Sequence, residues 1–109
     1  MTAIANDYGY DEVFARQIDG LGRPGDVAVA ITTSGASPNI IKAIKKAREK
    51  DMRVVGFTGE KGTAVLGPLC DVVLVTPSRE TPRVQEGHVV IYHIICGLVE
   101  QAVCAVRKP

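Results

Sequence analysis

Residues 26–58 read DVAVAITTSGASPNIIKAIKKAREKDMRVVGFT, and this stretch decides the fold class. Val27 to Thr32 is a continuous apolar run of strand length, the pattern of a parallel strand buried on both faces. The run breaks at residues 33–39, TSGASPN. A helical pattern follows to about Lys50, with Ile40, Ile41, Ile44 and Ala47 on one side. Pro38 suits the first turn of that helix, where a missing N–H costs little. Arg53 to Thr58 is a second apolar strand. Strand, helix and strand in succession call for a right-handed crossover and parallel pairing.

On the N-terminal side, Tyr10 to Leu21 reads as a helix, with Val13, Phe14, Gln17 and Ile18 at helical spacing and Gly20, Gly22 and Pro24 ending it. On the C-terminal side come a Gly-rich turn and short helix, then a third strand, DVVLVT from Asp71 to Thr76. One long helix spans about Pro82 to Val106. The order α-β-α-β-α-β-α predicts an α/β fold, a doubly wound parallel sheet, in one domain over residues 1–109. Three strands are few, since about five or six is usual for a sheet. The last helix carries Val89, Val90, Ile91, Ile94, Ile95, Leu98, Val99, Ala102 and Val103 around most of its circumference. A helix apolar all round is buried on all sides, so one side is expected on the sheet and another on a partner chain, in a homo-oligomer. The open sheet edge calls for a partner or for upstream sequence.

Composition narrows the class. The 109 residues are 46% apolar and 23% charged, with 13 Lys+Arg against 12 Asp+Glu, which argues against a disordered or fibrous chain. A net charge of +1 leaves no global footprint for nucleic acid or an anionic membrane, and neither is expected as a partner. Lys42, Lys45, Lys46, Arg48, Lys50 and Arg53 are interleaved with Glu49 and Asp51 and read as a solvated face. Cys96 and Cys104 sit eight residues apart on one helix, a rise of about 12 Å, beyond the ~7 Å reach of a disulfide. With Cys70 they read as free thiols in a reducing compartment, and no Cys-x-x-Cys is present. The N-terminus, MTAIANDYGYDEVF, lacks a signal-peptide pattern. The apolar run Val89 to Ile95 is broken by His93 and falls short of a membrane span. A cytoplasmic location is expected.

The chemistry concentrates in the first strand–helix turn, where Thr32, Thr33, Ser34 and Ser37 surround Gly35. Ligands of doubly wound sheets bind beyond the carboxyl ends of the strands. A helix start offers unpaired N–H groups and a positive dipole end, which suit phosphate. The turn is neither a Walker A loop nor G-x-G-x-x-G. On residue types alone, an equally good reading has Ser37 merely capping the helix.

TTSGASPNIIKAIKKAREKDMRVVGFTG, residues 32–59, closely resembles the corresponding segment of sugar isomerase (SIS) domains. NDYGYDEVFARQIDGLGRPGDV (6–27) and TPRVQEGHVVIYHIICGLVE (81–100) resemble the phosphoheptose isomerase branch of that family, so the likeness runs from about Thr2 to Glu100. The resemblance implies a flavodoxin-like three-layer fold and the conversion of sedoheptulose 7-phosphate to D-glycero-D-manno-heptose 7-phosphate, for lipopolysaccharide and other surface glycans. It implies a cytoplasmic homotetramer. Thr32, Ser34 and Ser37 match the family's sugar-phosphate-binding hydroxyls, with Thr33 in the same loop; the first is commonly Ser in the family. Asn6 and Asp7 match an Asn-Asp pair whose Asp reaches the sugar hydroxyls, although Asp7 also reads as a turn or cap before the helix at Tyr10. Gln85 and His93 match the active-site Gln and His of the last helix, where some members bind zinc.

Taken alone, His93 in IYHII reads as a core or interface histidine. Gln85 and His93 are about 80° apart around a straight helix and about 12 Å apart along it. One metal would need a kink, a long Gln reach or different subunits to take both. His88 also matches a family histidine and is expected to play a supporting role. Aldose–ketose isomerisation through an enediol needs an acid/base group with a pKa near neutrality, which suits imidazole at His93. Zinc could polarise the carbonyl.

Members of the family also carry an N-terminal segment with a His-x-x-x-Glu pair that supplies zinc ligands and a carboxylate. No His-x-x-x-Glu occurs in these 109 residues, and the chain is expected to correspond to the C-terminal portion. Glu86 is the one nearby carboxylate and reads as a solvated or subunit-contacting residue. Two rivals remain. One is a non-catalytic SIS protein of the replication-initiator-associating type, which has the active-site His replaced. The other is a sugar-phosphate-sensing module. His93 favours the isomerase over the first, and the lack of a helix-turn-helix counts against the second.

Overall fold

A computed structural model describes residues 1–105. Three parallel strands, β1 (Val27–Ile31), β2 (Arg53–Gly59) and β3 (Val72–Thr76), lie in the order β1-β2-β3. Ala28 pairs with Val54, and Gly56 with Val73. The helices are α1 (Thr2–Tyr8), α2 (Val13–Leu21), α3 (Pro38–Glu49), α4 (Thr63–Leu66) and α5 (Thr81–Ala105), with 3-10 turns at Tyr10–Glu12 and Glu60–Gly62. The α/β parallel sheet expected from the sequence is present. The expected helix from Tyr10 starts as a 3-10 turn, and α1 precedes it, a short helix that the residues around Asp7 did not signal. The predicted end of the last helix at Val106 lies outside the described residues.

Alternation along the strands sorts two faces. Ala30 and Val54 join Ile44 and Ala47 of α3 and Leu66 of α4 in one buried cluster, with Ile18 of α2 packed against it. Burying such aliphatic side chains contributes about 1.5–3 kcal/mol each. The opposite face meets only the start of α5. There Phe57 packs on the His88 ring at 5.7 Å between centroids, Val84 is buried, and Gly87 lies so close to Thr76 that a Cβ would come within 2.4 Å of its hydroxyl oxygen.

One expectation is corrected here. β1 is not covered on both faces in this chain: Ala30 is buried, but Val27, Val29 and Ile31 are exposed, because no element among the described residues lies over that half of the second face. On α5 one side meets the sheet, as expected, and the side expected to meet a partner chain is exposed in this single copy. Among its described residues only Val84 and His88 are buried, and Val89, Val90, Ile94, Leu98, Val99 and Val103 face outward.

The 25 residues of α5 are also long and apolar enough, by length and composition, to cross a membrane, which the run Val89–Ile95 alone did not suggest.

Candidate functional site

The carboxyl end of β1 runs straight into the hydroxyl loop. The Thr32 N–H donates to Phe57 O at 3.0 Å, which carries the strand ladder one residue past β1. The chain then turns at Gly35, whose φ of 72° lies in the left-handed region that favours glycine. Thr32, 5% exposed, directs its hydroxyl inward: its Oγ1 lies 3.0 Å from Ser37 Oγ and accepts the Gly35 N–H at 3.2 Å. The Ser34 hydroxyl accepts the Ala36 N–H at 3.2 Å.

Ser37 occupies the N-cap of α3 but makes no side-chain bond to the helix's own amides, and Pro38 follows at the start of the helix. The hydroxyl therefore bonds within the loop and does no capping. Thr33 and Ser37 are half-buried and Ser34 is exposed. The Thr32 and Ser37 hydroxyls thus meet at a helix N-terminus, with Thr32 organising the loop from inside and Ser34 and Ser37 nearer solvent. Neutral donors around a helix start are an anion-binding arrangement.

A second turn supports this loop. The Thr33 carbonyl accepts the Gly59 N–H at 3.3 Å and the Thr58 hydroxyl at 3.4 Å. Gly59 also meets α5: a Cβ there would lie 2.6 Å from Val84 Cγ2 and 3.4 Å from Thr33 O. The first turn of α5 is therefore one glycine away from the hydroxyl loop, and Gln85 follows Val84 directly. The sequence reading places Thr58 at the end of the second strand and Gly59 and Gly62 in an ordinary Gly-rich turn, with no functional role for any of them. The available signal was FTGEKG, a threonine and two glycines at the carboxyl end of a buried strand.

Among the described residues, no hydrogen bond joins the remaining candidates to the loop. Asn6 and Asp7 are exposed on α1 and bonded to each other, Nδ2 to Oδ1 at 3.0 Å. Gln85 and His93 are both exposed, and the His93 ring tilts against Tyr92 at 5.1 Å. His93 sits on the length of α5 that leaves the sheet. His88 is 3% exposed, packs on Phe57, and has a buried Nε2 with no hydrogen-bond partner among the described residues. Glu86 is held by Arg83, whose Nη1 donates to both carboxylate oxygens at 2.7 and 2.8 Å, in solvent.

Among the described residues no group of three or more His, Cys, Asp or Glu side chains could hold a metal ion. Gln85 and His93 alone, exposed and about 12 Å apart along α5, do not fit a zinc site in a single copy of this chain.

The family model for the SIS domain matches residues 1–59, from α1 through the hydroxyl loop to the end of β2. The chain belongs to the SIS domain family. This SIS chain is 52% identical over 103 residues to a phosphoheptose isomerase of Burkholderia pseudomallei and 49% identical over 105 residues to one of Rhodospirillum rubrum. The alignments cover 94% and 96% of this chain but 52% and 55% of the relatives. The chain thus spans about half the length of the curated relatives it matches. The solved phosphoheptose isomerase of Neisseria gonorrhoeae superposes with a TM-score of 0.86 at 46% identity, over 92% of this chain and 55% of that one. The Francisella tularensis enzyme gives 0.87 at 37% identity, over 92% and 53%. The parallel three-strand core with its helices is therefore an SIS fold.

Proposed function

We propose that this SIS chain binds a sugar phosphate at the Thr32–Ser37 loop and serves the isomerisation of sedoheptulose 7-phosphate to D-glycero-D-manno-heptose 7-phosphate, for surface glycans, in the cytoplasm. The observation that carries the reading is the Ser37 hydroxyl, turned away from helix capping and onto the Thr32 hydroxyl at the start of α3. Relatives about half identical and named phosphoheptose isomerase supply the substrate class. In this reading Ser34, Ser37 and free loop amides hold the phosphate, Thr32 and Gly35 shape the loop, and Asp7 and Gln85 contact the sugar.

The chemical step moves a proton. It leaves C1 of the ketose, the electrons of that C–H bond form the C1=C2 double bond of the enediol as the C2 carbonyl oxygen takes up a proton, and a proton then returns at C2 while the C1 hydroxyl gives up its proton and C1 becomes the carbonyl of the aldose. His93 is the acid/base. Since His93 projects from the free length of α5, it would serve a loop on another copy, which makes a homo-oligomer part of the proposal. Zinc would find only Gln85 and His93 here, and no step is routed through it. The separation of His93 from the loop within one copy favours a second reading, a chain that binds the sugar phosphate without turning it over.

The test is turnover of sedoheptulose 7-phosphate by the purified chain, alongside a direct binding measurement and His93→Ala. Turnover abolished by the substitution, with binding retained, supports the isomerase. Binding without turnover in the parent chain selects the second reading, and no binding sinks both.

A further inference from the structure

We infer that Thr58 and Gly62, on the turn after β2, are positioning residues that hold the hydroxyl loop in its phosphate-binding shape; the inference rests on the sugar-phosphate reading of that loop. The bonds inside the loop, Thr32 to Ser37, Gly35 to Thr32 and Ala36 to Ser34, would travel with it if it moved. They do not tell it where to stand relative to the sheet. Beyond the ladder bond at Thr32, two contacts do. One is the Thr33 carbonyl, gripped by the Gly59 N–H and the Thr58 hydroxyl, the latter on a side chain with no exposed surface. The other is a backbone-to-backbone contact between Gly35 and Gly62.

That second contact leaves room for no side chain on either residue. A Cβ on Gly35 would come within 2.6 Å of Gly62 Cα. A Cβ on Gly62 would come within 2.0 Å of Thr58 Oγ1 and 2.9 Å of Gly35 N. Gly62 itself has φ −92° and ψ −8°, a conformation open to any residue. Its glycine is thus required by contact with the loop and with Thr58, and not by backbone conformation. An alanine there pushes on both grips at once. The loop then shifts by a fraction of an ångström or more, and donors aimed at one phosphate lose their common focus.

The experiment measures the affinity of the whole chain for inorganic phosphate and for sedoheptulose 7-phosphate by calorimetry, well below the melting temperature. The set is the parent, Gly62→Ala, Thr58→Val, Thr58→Ser, and Gly20→Ala, the last having nothing within 4 Å of its added carbon. Gly62→Ala is expected to weaken both ligands tenfold or more and Thr58→Val severalfold. Thr58→Ser should restore parental affinity, and Gly20→Ala should leave it unchanged. A purely structural role would lower the melting temperature and leave the affinity of the folded chain alone. Should Gly62→Ala fail to fold, the Thr58 pair decides. A parent that binds phosphate, with folded variants binding as tightly, overturns the inference alone. A parent that binds no phosphate overturns the reading of the site and the inference with it.

Discussion

At the N-cap of α3, Ser37 turns its hydroxyl to Thr32, 3.0 Å away, instead of to an amide of the first helical turn. Losing a working cap costs about 0.5–2 kcal/mol, but this hydroxyl does no capping, so Ser37→Ala should cost less than ~0.5 kcal/mol, as at an ordinary surface site. Phosphate affinity, in contrast, should fall at least fivefold. Urea unfolding and calorimetry on the same variant separate the two effects, and a large stability loss with unchanged affinity would return Ser37 to a capping role. Asp71 presents the opposite case, a charged residue that acts on the fold. Its carboxylate accepts the Val54 N–H at 2.7 Å, with Arg48 at 3.7 Å and Arg53 at 3.4 Å. The backbone bond first, and then the two guanidiniums, hold its carboxyl below the usual 3.8. A depressed folded-state value means that the stabilisation is present above 3.8 and is lost as pH falls through the folded value. Asp71→Asn should therefore be less stable than the parent at pH 7, with the gap closing below about pH 3.8. Denaturant midpoints at pH 7, 4 and 3 check this, and a gap that stays constant would remove the charge from the explanation.

Among the elements, the sheet and α3 were the most legible, because an apolar run, a turn and a helical stripe are local patterns. What local pattern could not supply was coverage. Val27, Val29 and Ile31 belong to an apolar run that looks the same whether or not something lies over it. The apolar circumference of α5 calls for two neighbours, the sheet and a partner chain, and one copy supplies only the sheet. The hydroxyl loop was legible as a cluster of residue types, but whether Ser37 caps its helix rested on where one hydroxyl points. The Gly35–Gly62 contact joins residues 27 apart in sequence, and no spacing rule reaches across β2. The contrast in coverage has a measurable consequence. Ile44, 1% exposed in the α3 layer, should cost about 2–5 kcal/mol as Ile44→Ala. Val27, 59% exposed at the uncovered edge, should cost under ~0.5 kcal/mol as Val27→Thr. Chemical denaturation of both variants tests the assignment of faces, and comparable losses would show that β1 is covered after all.

The whole molecule is less compact than its length requires. A compact chain of 109 residues has a radius of gyration near 13 Å, whereas this one has 15.2 Å and extents of 50 × 34 × 26 Å. The excess follows from α5, about 37 Å long at 1.5 Å per residue, docked by its first two turns and projecting with the rest. That projection carries Ile94, Leu98 and Val99 at 57%, 60% and 54% exposure. Isolated apolar side chains are ordinary on a surface, but a continuous stripe of them is a contact site. A helix placed this way can bury its stripe against the same stripe of another copy without disturbing the sheet, and doing so would carry His93 toward a second loop. Self-association is therefore the expected state, with a light-scattering mass that is a multiple of 11.6 kDa. Ile94→Glu with Leu98→Glu, charges placed on the free length of α5 and away from the Thr32–Ser37 loop, should bring the mass down to 11.6 kDa. Phosphate binding should persist in that variant, since the loop and its supports lie within one copy. Turnover, where the parent shows it, should vanish, because His93 would no longer reach a loop. A parent already running at 11.6 kDa would leave α5 without its partner, and a monomeric variant that still turned over substrate would place the acid/base on the loop's own copy.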